Sequence, residues 1–537
     1  MTPAGPYLRL RRQGGLVAVA LAAMMVHVQP VGAQALHTER PLNAIDWLED
    51  AMSNPIPPEL QDTAPDGYLP PIPPRAEADD IAVTPLSPPA LDQVGLFIPE
   101  RAGLPRDLWG QAPVAEVLAG ISALPVDTVP SALQLGYRLL LAEFAPPARL
   151  QPETQGTVLN ARVDKLMAMG ALEQATQLID AAPVRTAALN TRAFDIALLL
   201  GEEDRACTSM SGQITTDFGH GAQIFCLARR GDWQGAYMTL NATTSLGLLD
   251  TSEAALLLRF LEEEDIILTP PPPAELSPLG WRILEALGDP VPTSSLPVAF
   301  AYADLRGTSG WRAQLDAAER LTRAGVMQPN RLLGLYAQRR PAASGGVWER
   351  VRAVQALDQA LAGNDPAALS QALVTAWPQF ASVELEVAFA QMFAPALTEG
   401  ATDLMALDGP ARAIMWQILL LAQTRLDMAV HLAPDTTTAR LATALVQQAP
   451  ALPDMDSSSM AAAIAQAFSS QPHTQDNAPT PVSSGGIVLL DALNSIAQAA
   501  IGDPRAARIG LEGLLSLGLD GPARQIAVEL LLLERRG

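Results

Sequence analysis

Lysine is almost absent from this sequence: Lys165 is the only one, and arginine supplies nearly all of the positive charge. The 35 lysine and arginine residues are outnumbered by 57 aspartate and glutamate residues, which gives the chain a net charge of −22. A surface with this excess of negative charge repels nucleic-acid phosphates and anionic lipid headgroups. We therefore expect neither nucleic acid nor a membrane surface to be a partner.

Established catalytic and cofactor-binding motifs are also missing. The sequence has no His-Glu-x-x-His, no Gly-x-x-x-x-Gly-Lys phosphate loop and no Gly-x-Ser-x-Gly nucleophile turn. Beyond residue 35 the histidines are scattered, at His37, His220, His431 and His473. We predict no cofactor, no metal site and no catalytic residue from these patterns. Two distant carboxylates can still meet in a fold, so an enzyme stays an alternative.

No long hydrophobic segment marks the N-terminus. The apolar stretch Leu16–Val28 is shorter than the roughly 20 residues that a membrane-spanning helix needs. Arg9, Arg11 and Arg12 precede it and Ala33-Gln34-Ala35 follows, which is typical of a signal peptide cut after Ala35. We predict that residues 1–35 are removed and that the protein is periplasmic, or secreted, without a stable membrane anchor.

Cysteine is equally scarce, with only Cys207 and Cys226. In an exported chain with two cysteines we predict a structural disulfide between them, which would contribute about 3 kcal/mol for a loop of this size. A redox-active pair normally has the Cys-x-x-Cys spacing, and this sequence lacks it.

What the chain does contain is proline, concentrated in residues 36–109 at segments such as Pro55–Pro58 and Pro70–Pro74. Proline at this density blocks helices and sheet ladders, so we predict a largely extended leader. One short helix is predicted within it, at 42–52 (LNAIDWLEDAM). Such a helix is too short to be stable alone in water, where roughly 12 to 15 residues are needed.

The leader helix must therefore dock on something, and two interpretations are open. It packs back onto its own domain, or it presents Ile45, Trp47 and Leu48 to a groove in a partner protein.

From residue 110 onward, apolar residues recur at helical spacing between short turns. We predict an all-α fold, an α-solenoid of stacked helical hairpins. Its parts are a first set of helical repeats at 110–268, a second set at 269–468, a flexible loop at 469–486 and C-terminal helices at 487–537. Pro270–Pro273 form a stiff break between the two sets of repeats.

A recurring turn supports the repeats. Glycine is followed five residues later by alanine at Gly170/Ala175, Gly201/Ala206, Gly231/Ala236, Gly363/Ala368, Gly502/Ala507 and Gly518/Ala523. Glycine can end a helix in the left-handed conformation, and a small residue in the next helix lets two helices approach closely. The turns at Gly231 and Gly363 resemble those of tetratricopeptide repeats, although the period is shorter and the regular tryptophan, tyrosine and proline positions are missing.

Two further segments, AIDWL (44–48) and VGLFIPERAGLPRDLW (94–109), flank the proline-rich tract. Together with the helical domain they resemble a poorly characterised exported bacterial family sometimes labelled antifreeze-glycopeptide-like. The Thr-Ala-Ala tandem repeats that such a label implies are absent from this chain.

The segment RRPAASGGVWER (339–350) is the best candidate for binding a small anion. If a helix begins after Ser344, its free amides would lie near Arg339 and Arg340 and hold a carboxylate or phosphate. The alternative is a glycine-rich turn whose arginines balance the acidic surface.

Taken together, these features predict an exported, periplasmic helical-repeat scaffold or adaptor that binds a protein or peptide without catalysis. The alternatives are a cell-envelope enzyme that uses acidic residues, and a small-anion binder.

Overall fold

The computed structural model describes residues 90–210, 218–262, 275–363, 365–399, 404–407, 409–449, 451–455, 459–469, 484–533 and 535. They belong to one compact unit, Leu86–Gly537. The predicted signal peptide and the leader helix with Ile45, Trp47 and Leu48 lie outside the described residues, as does most of the predicted loop at 469–486.

The predicted all-α class is confirmed for the described residues, which form helices and no β-strand. The helices are α1 (Pro99–Ala102), α2 (Val114–Ala123), α3 (Pro130–Leu141), α4 (Thr157–Ala168), α5 (Leu172–Asp180), α6 (Ala187–Leu200), α7 (Glu203–Ser209), α8 (His220–Arg229), α9 (Trp233–Ser245), α10 (Thr251–Glu262), α11 (Pro278–Ala286), α12 (Ala301–Asp304), α13 (Trp311–Arg323), α14 (Pro329–Ala337), α15 (Val347–Gly363), α16 (Pro366–Ala381), α17 (Glu386–Glu399), α18 (Gly409–Leu421), α19 (Leu426–Leu432), α20 (Thr437–Val446), α21 (Met460–Ser469), α22 (Gly485–Ala500), α23 (Pro504–Ser516) and α24 (Asp520–Leu532).

Short side chains define where several of these helices begin. Ser277, Asp365 and Asp503 each accept a hydrogen bond from a backbone amide in the first turn of the next helix, and a proline follows each of them directly. The capping oxygen satisfies an amide that has no partner within the helix, and proline has no amide to satisfy. The local sequence therefore sets these boundaries.

The glycine–alanine turns are confirmed at five of the six positions. The glycines at 170, 201, 231, 502 and 518 have positive φ, and the paired alanines are buried. The pair Gly363/Ala368 differs, because Gly363 is the last residue of α15 without a positive φ and Ala368 is exposed. In the five confirmed turns the glycine reverses the chain and the alanine allows close packing.

Helices pack on their chain neighbours and on helices two positions away. Helix α8 contacts both α9 and α10, and α16 contacts both α17 and α18. This pattern agrees with stacked helical hairpins.

The two ends of this helical array also pack on each other. Helix α24 contacts α3, and α22 contacts α2. The carboxylate of Glu529 accepts hydrogen bonds from the backbone amide (2.8 Å) and the hydroxyl (2.6 Å) of Ser131, and the amide of Gly486 donates to the carbonyl of Leu108 (2.8 Å). The stack of hairpins is therefore closed on itself rather than open at both ends.

Residues 90–109, which composition placed in the leader, pack into the helical unit. Val94, Leu108 and Trp109 are buried. The buried carboxylate of Asp92 accepts hydrogen bonds from the amides of Gly156 (2.6 Å) and Leu159 (3.0 Å), at the start of α4. The compact unit, which starts at Leu86, thus begins well before residue 110, where the helical spacing of apolar residues begins.

The single lysine has a structural position. The side chain of Lys165 is buried, and its ammonium donates a hydrogen bond to the carbonyl of Leu124 (2.9 Å), which follows the last residue of α2. Burial lowers the pKa of Lys165. The ammonium therefore holds α2 on α4 instead of facing a ligand.

We expect Lys165 to resist amine acylation in the folded protein. Treating the native protein with an acetyl N-hydroxysuccinimide ester should leave Lys165 unmodified in a peptide mass map, because the buried amine is shielded from the reagent. The same protein unfolded in urea serves as the control and should be acetylated at Lys165. Complete acetylation of Lys165 before unfolding would contradict the buried placement.

Candidate functional site

A groove lies where the two ends of the helical array meet. Its walls are the turn after α2, the C-terminal half of α22 and the first turns of α23, and its volume is about 590 Å³. That volume falls within the roughly 300–1,000 Å³ that is common for ligand-binding clefts. The groove exists only because the array closes, since its walls come from opposite ends of the chain.

Three exposed aliphatic side chains line this groove. Val126 is 46% exposed, and Ile501 and Ile509 are each 54% exposed. Single exposed apolar residues are ordinary on protein surfaces, but a group of them inside a concavity is typical of a binding surface. Contact with an apolar ligand would remove these side chains from water.

Polar groups surround the apolar strip. Asn494 and Gln498 extend from α22, and their side-chain amides make no hydrogen bond to another described residue. Asp127 forms an ion pair with Arg323, in which Oδ2 of Asp127 and Nη2 of Arg323 lie 4.0 Å apart. Burial raises the pKa of the Asp127 carboxyl group. Amides that both donate and accept suit the backbone of an extended peptide.

Sequence reasoning did not single out any groove residue. Ile509 lies in α23, where an apolar residue normally points to the core, whereas Val126 and Ile501 lie in the turns after α2 and α22. Their grouping in one groove follows from how these three helices pack against one another, which local sequence does not record. The nearest signal in the sequence is the aliphatic Ile501 beside Gly502, in a turn where a polar residue is more common.

The structure places the predicted anion-binding segment in an exposed turn. Arg339, Arg340 and Ser344 are all exposed, and α15 begins three residues beyond Ser344. The amide of Gly345 donates to the carboxylate of Glu349 (3.0 Å), and the guanidinium of Arg352 donates to the same carboxylate (2.7 Å).

The hydrogen bonds from Gly345 and Arg352 lower the pKa of Glu349, with the bond from Arg352 as the main cause. A carboxylate of the chain itself therefore occupies the amide that an anion would need. Anion binding at Arg339, Arg340 and Ser344 stays a prediction.

The predicted disulfide is confirmed. Cys207 in α7 is bonded to Cys226 in α8, with a Cα–Cα distance of 5.3 Å. The two helices belong to successive hairpins, which is why residues 19 positions apart in the sequence meet. The bond ties α7, a helix of only seven residues, to the body of the array.

Carboxylates with raised pKa bear on the enzyme alternative. Burial raises the pKa of Asp195 to about 7, and the charges of Glu253 and Asp164 raise it further, whereas Arg192 lowers it. Burial also raises the pKa of Glu253. Neither residue lines the groove. Both carboxyl groups therefore lie outside the groove, and the enzyme alternative stays a prediction.

No protein-family model, no curated protein and no solved structure matches this chain. Within the part of the chain that the structure describes, no helix combines the length and apolar character needed to cross a bilayer. The same residues contain no group of three or more histidine, cysteine, aspartate or glutamate side chains placed to hold a metal ion.

Proposed function

We propose that the protein is an exported scaffold or adaptor whose groove binds an extended segment of a partner protein. The observation that carries the proposal is the strip of Val126, Ile501 and Ile509, exposed inside a concavity and flanked by the amides of Asn494 and Gln498. The aliphatic strip would accept apolar side chains, and the amides would bond to the partner's backbone.

Charge defines the partner further. Asp127 and Asp503 line the groove together with a single cation, Arg505, and the whole chain carries a net charge of −22. An acidic surface attracts basic partners and speeds their encounter. The proposed partner segment therefore combines an apolar pair with lysine or arginine.

We also propose that the chain is exported to the periplasm and that its hairpins are tetratricopeptide-like. The Cys207–Cys226 disulfide supports export, because such bonds persist in oxidising compartments. The packed pairs α8–α9 and α15–α16, each joined by a short turn, support the tetratricopeptide comparison.

A peptide-display selection against the immobilised protein tests the groove. The expected result is a family of enriched peptides that carry an apolar pair and a basic residue. Ile501→Asp should weaken the binding of a synthetic member of that family by about tenfold or more, because the lost apolar contact outweighs the attraction of one added carboxylate for the basic residue of the peptide. Binding is measured by fluorescence anisotropy at fixed ionic strength.

The matched control is Ile98→Asp, because Ile98 is 52% exposed and does not line the groove. It should change the peptide affinity by less than about twofold. Equal loss of affinity in both variants, or selected peptides without apolar residues, would refute binding in the groove.

A further inference from the structure

A second cavity, of about 230 Å³, lies between α5, α6 and α7. Its floor is apolar and includes the buried side chains of Ile179, Phe194 and Phe218. Its lining also includes Arg185 and Arg205. A cavity with an apolar floor and a few polar groups is the usual form of a small-molecule site.

One polar residue of this cavity is buried. Asn190, in the second turn of α6, is only 5% exposed and lines the cavity. Its side chain makes no hydrogen bond to any other described residue. Asparagine is a poor helix former, and its side-chain amide reaches the open space of the cavity instead of being enclosed by protein. The amide can therefore donate a hydrogen bond to, or accept one from, a molecule bound in the cavity.

The charges around the cavity favour an anion. Arg185 pairs with Asp180, and Arg205, whose side chain is 64% exposed, pairs with Glu202 on the preceding turn. Two arginines and one aspartate therefore line the cavity, and each arginine is paired with a carboxylate. Exposed ion pairs contribute little stability, so a bound carboxylate can replace Glu202 as the partner of Arg205. Guanidinium and amide groups together bind a carboxylate well.

We propose that this cavity binds a small monocarboxylate that carries a branched apolar group. The carboxylate lies between Asn190 and Arg205, and the apolar group lies against Phe194 and Phe218. An apolar cavity of about 150 Å³ holds benzene, so the present volume suits a molecule of roughly nine non-hydrogen atoms. The site is separate from the groove and does not depend on the proposed adaptor function.

The wall that carries Arg205 is held in place. Helix α7 is fixed by the disulfide at Cys207 and by an ion pair between Glu203 and Arg282, whose Oε1 and Nε atoms lie 2.5 Å apart. Glu203 and Cys207 each lie two positions from Arg205 in the sequence. A binding site requires that its polar groups be positioned before the ligand arrives, and these two anchors provide that positioning.

The test is a titration of the oxidised full-length protein with 4-methylpentanoate, followed by ¹H–¹⁵N correlation spectra. The expected result is saturable shifts of the Asn190 side-chain amide with a Kd between about 10 μM and about 1 mM, which is reasonable for eight non-hydrogen atoms. The neutral analogue 4-methylpentanamide should bind at least about tenfold more weakly, because it cannot pair with arginine.

Two variants connect the binding to the named side chains. Asn190→Leu should weaken binding at least about tenfold while the midpoint of thermal unfolding stays the same or rises. Arg205→Gln, a change on the surface, should weaken binding about tenfold without affecting folding. Asn241→Leu is the control, because Asn241 is exposed on α9 outside the cavity, and its Kd should match that of the unaltered protein.

Three results would overturn the proposal. They are the absence of saturable shifts up to about 10 mM ligand, an unchanged Kd in Asn190→Leu, and equal affinity for the carboxylate and the amide.

Discussion

Replacing Arg162 by leucine is expected to lower the free energy of unfolding by about 3 to 5 kcal/mol. The guanidinium is fully buried and donates to the carbonyls of Leu140 (2.7 Å), Val94 (2.6 Å) and Ala142 (2.9 Å). Leucine would leave all three carbonyl oxygens buried without this donor.

The effect is large because Arg162 joins three segments. It satisfies carbonyls at the C-terminal end of α3 and connects α4 to residues 90–97. Burial lowers the pKa of Arg162 to about 10, so the group remains charged at neutral pH. Its hydrogen bonds are therefore charge-assisted, which makes their loss more costly.

Urea denaturation followed by circular dichroism measures this prediction. Arg138→Leu is a matched control, because Arg138 is exposed on the last turn of α3, and it should change the stability by less than about 0.5 kcal/mol. Arg162→Lys should fall between the two, because an ammonium cannot reach three carbonyls in a fork. A midpoint for Arg162→Leu equal to that of Arg138→Leu would contradict the assigned role.

Arg350→Leu is expected to cost a similar amount, about 3 to 5 kcal/mol at pH 7. Arg350 forms a two-pronged ion pair with Glu319, at 2.7 and 2.5 Å, and the hydroxyl of Tyr336 donates to the same carboxylate at 2.7 Å. All three side chains are buried between α13, α14 and α15. Without the guanidinium, Glu319 would be a buried charge with no cation.

A compensated variant separates charge from packing. Glu319→Leu, Arg350→Leu and Tyr336→Phe combined should recover most of the lost stability, to within about 2 kcal/mol of the original, because no buried polar group is left unpaired. If the triple variant is as unstable as Arg350→Leu, loss of packing rather than an uncompensated carboxylate explains the cost.

Much of the fold was determined by local sequence. The helical class, the starts of helices at Ser277, Asp365 and Asp503, and five of the six glycine turns follow from side chains that act on their own backbone. The disulfide was predictable as well, because two cysteines allow only one pairing, predicted export favours its oxidation, and the hairpin pattern brings Cys207 near Cys226.

Only the tertiary structure decided how the ends of the chain meet. Glu529 and Ser131 are 398 positions apart, and neither carries a local signal of its partner. The same holds for the groove, whose aliphatic residues resemble core residues in the sequence, and for Asn190, whose burial depends on two neighbouring helices. Local sequence fixes how each segment folds because those interactions span a few residues, whereas the sites depend on helix rotations and long-range packing to which the whole unit contributes.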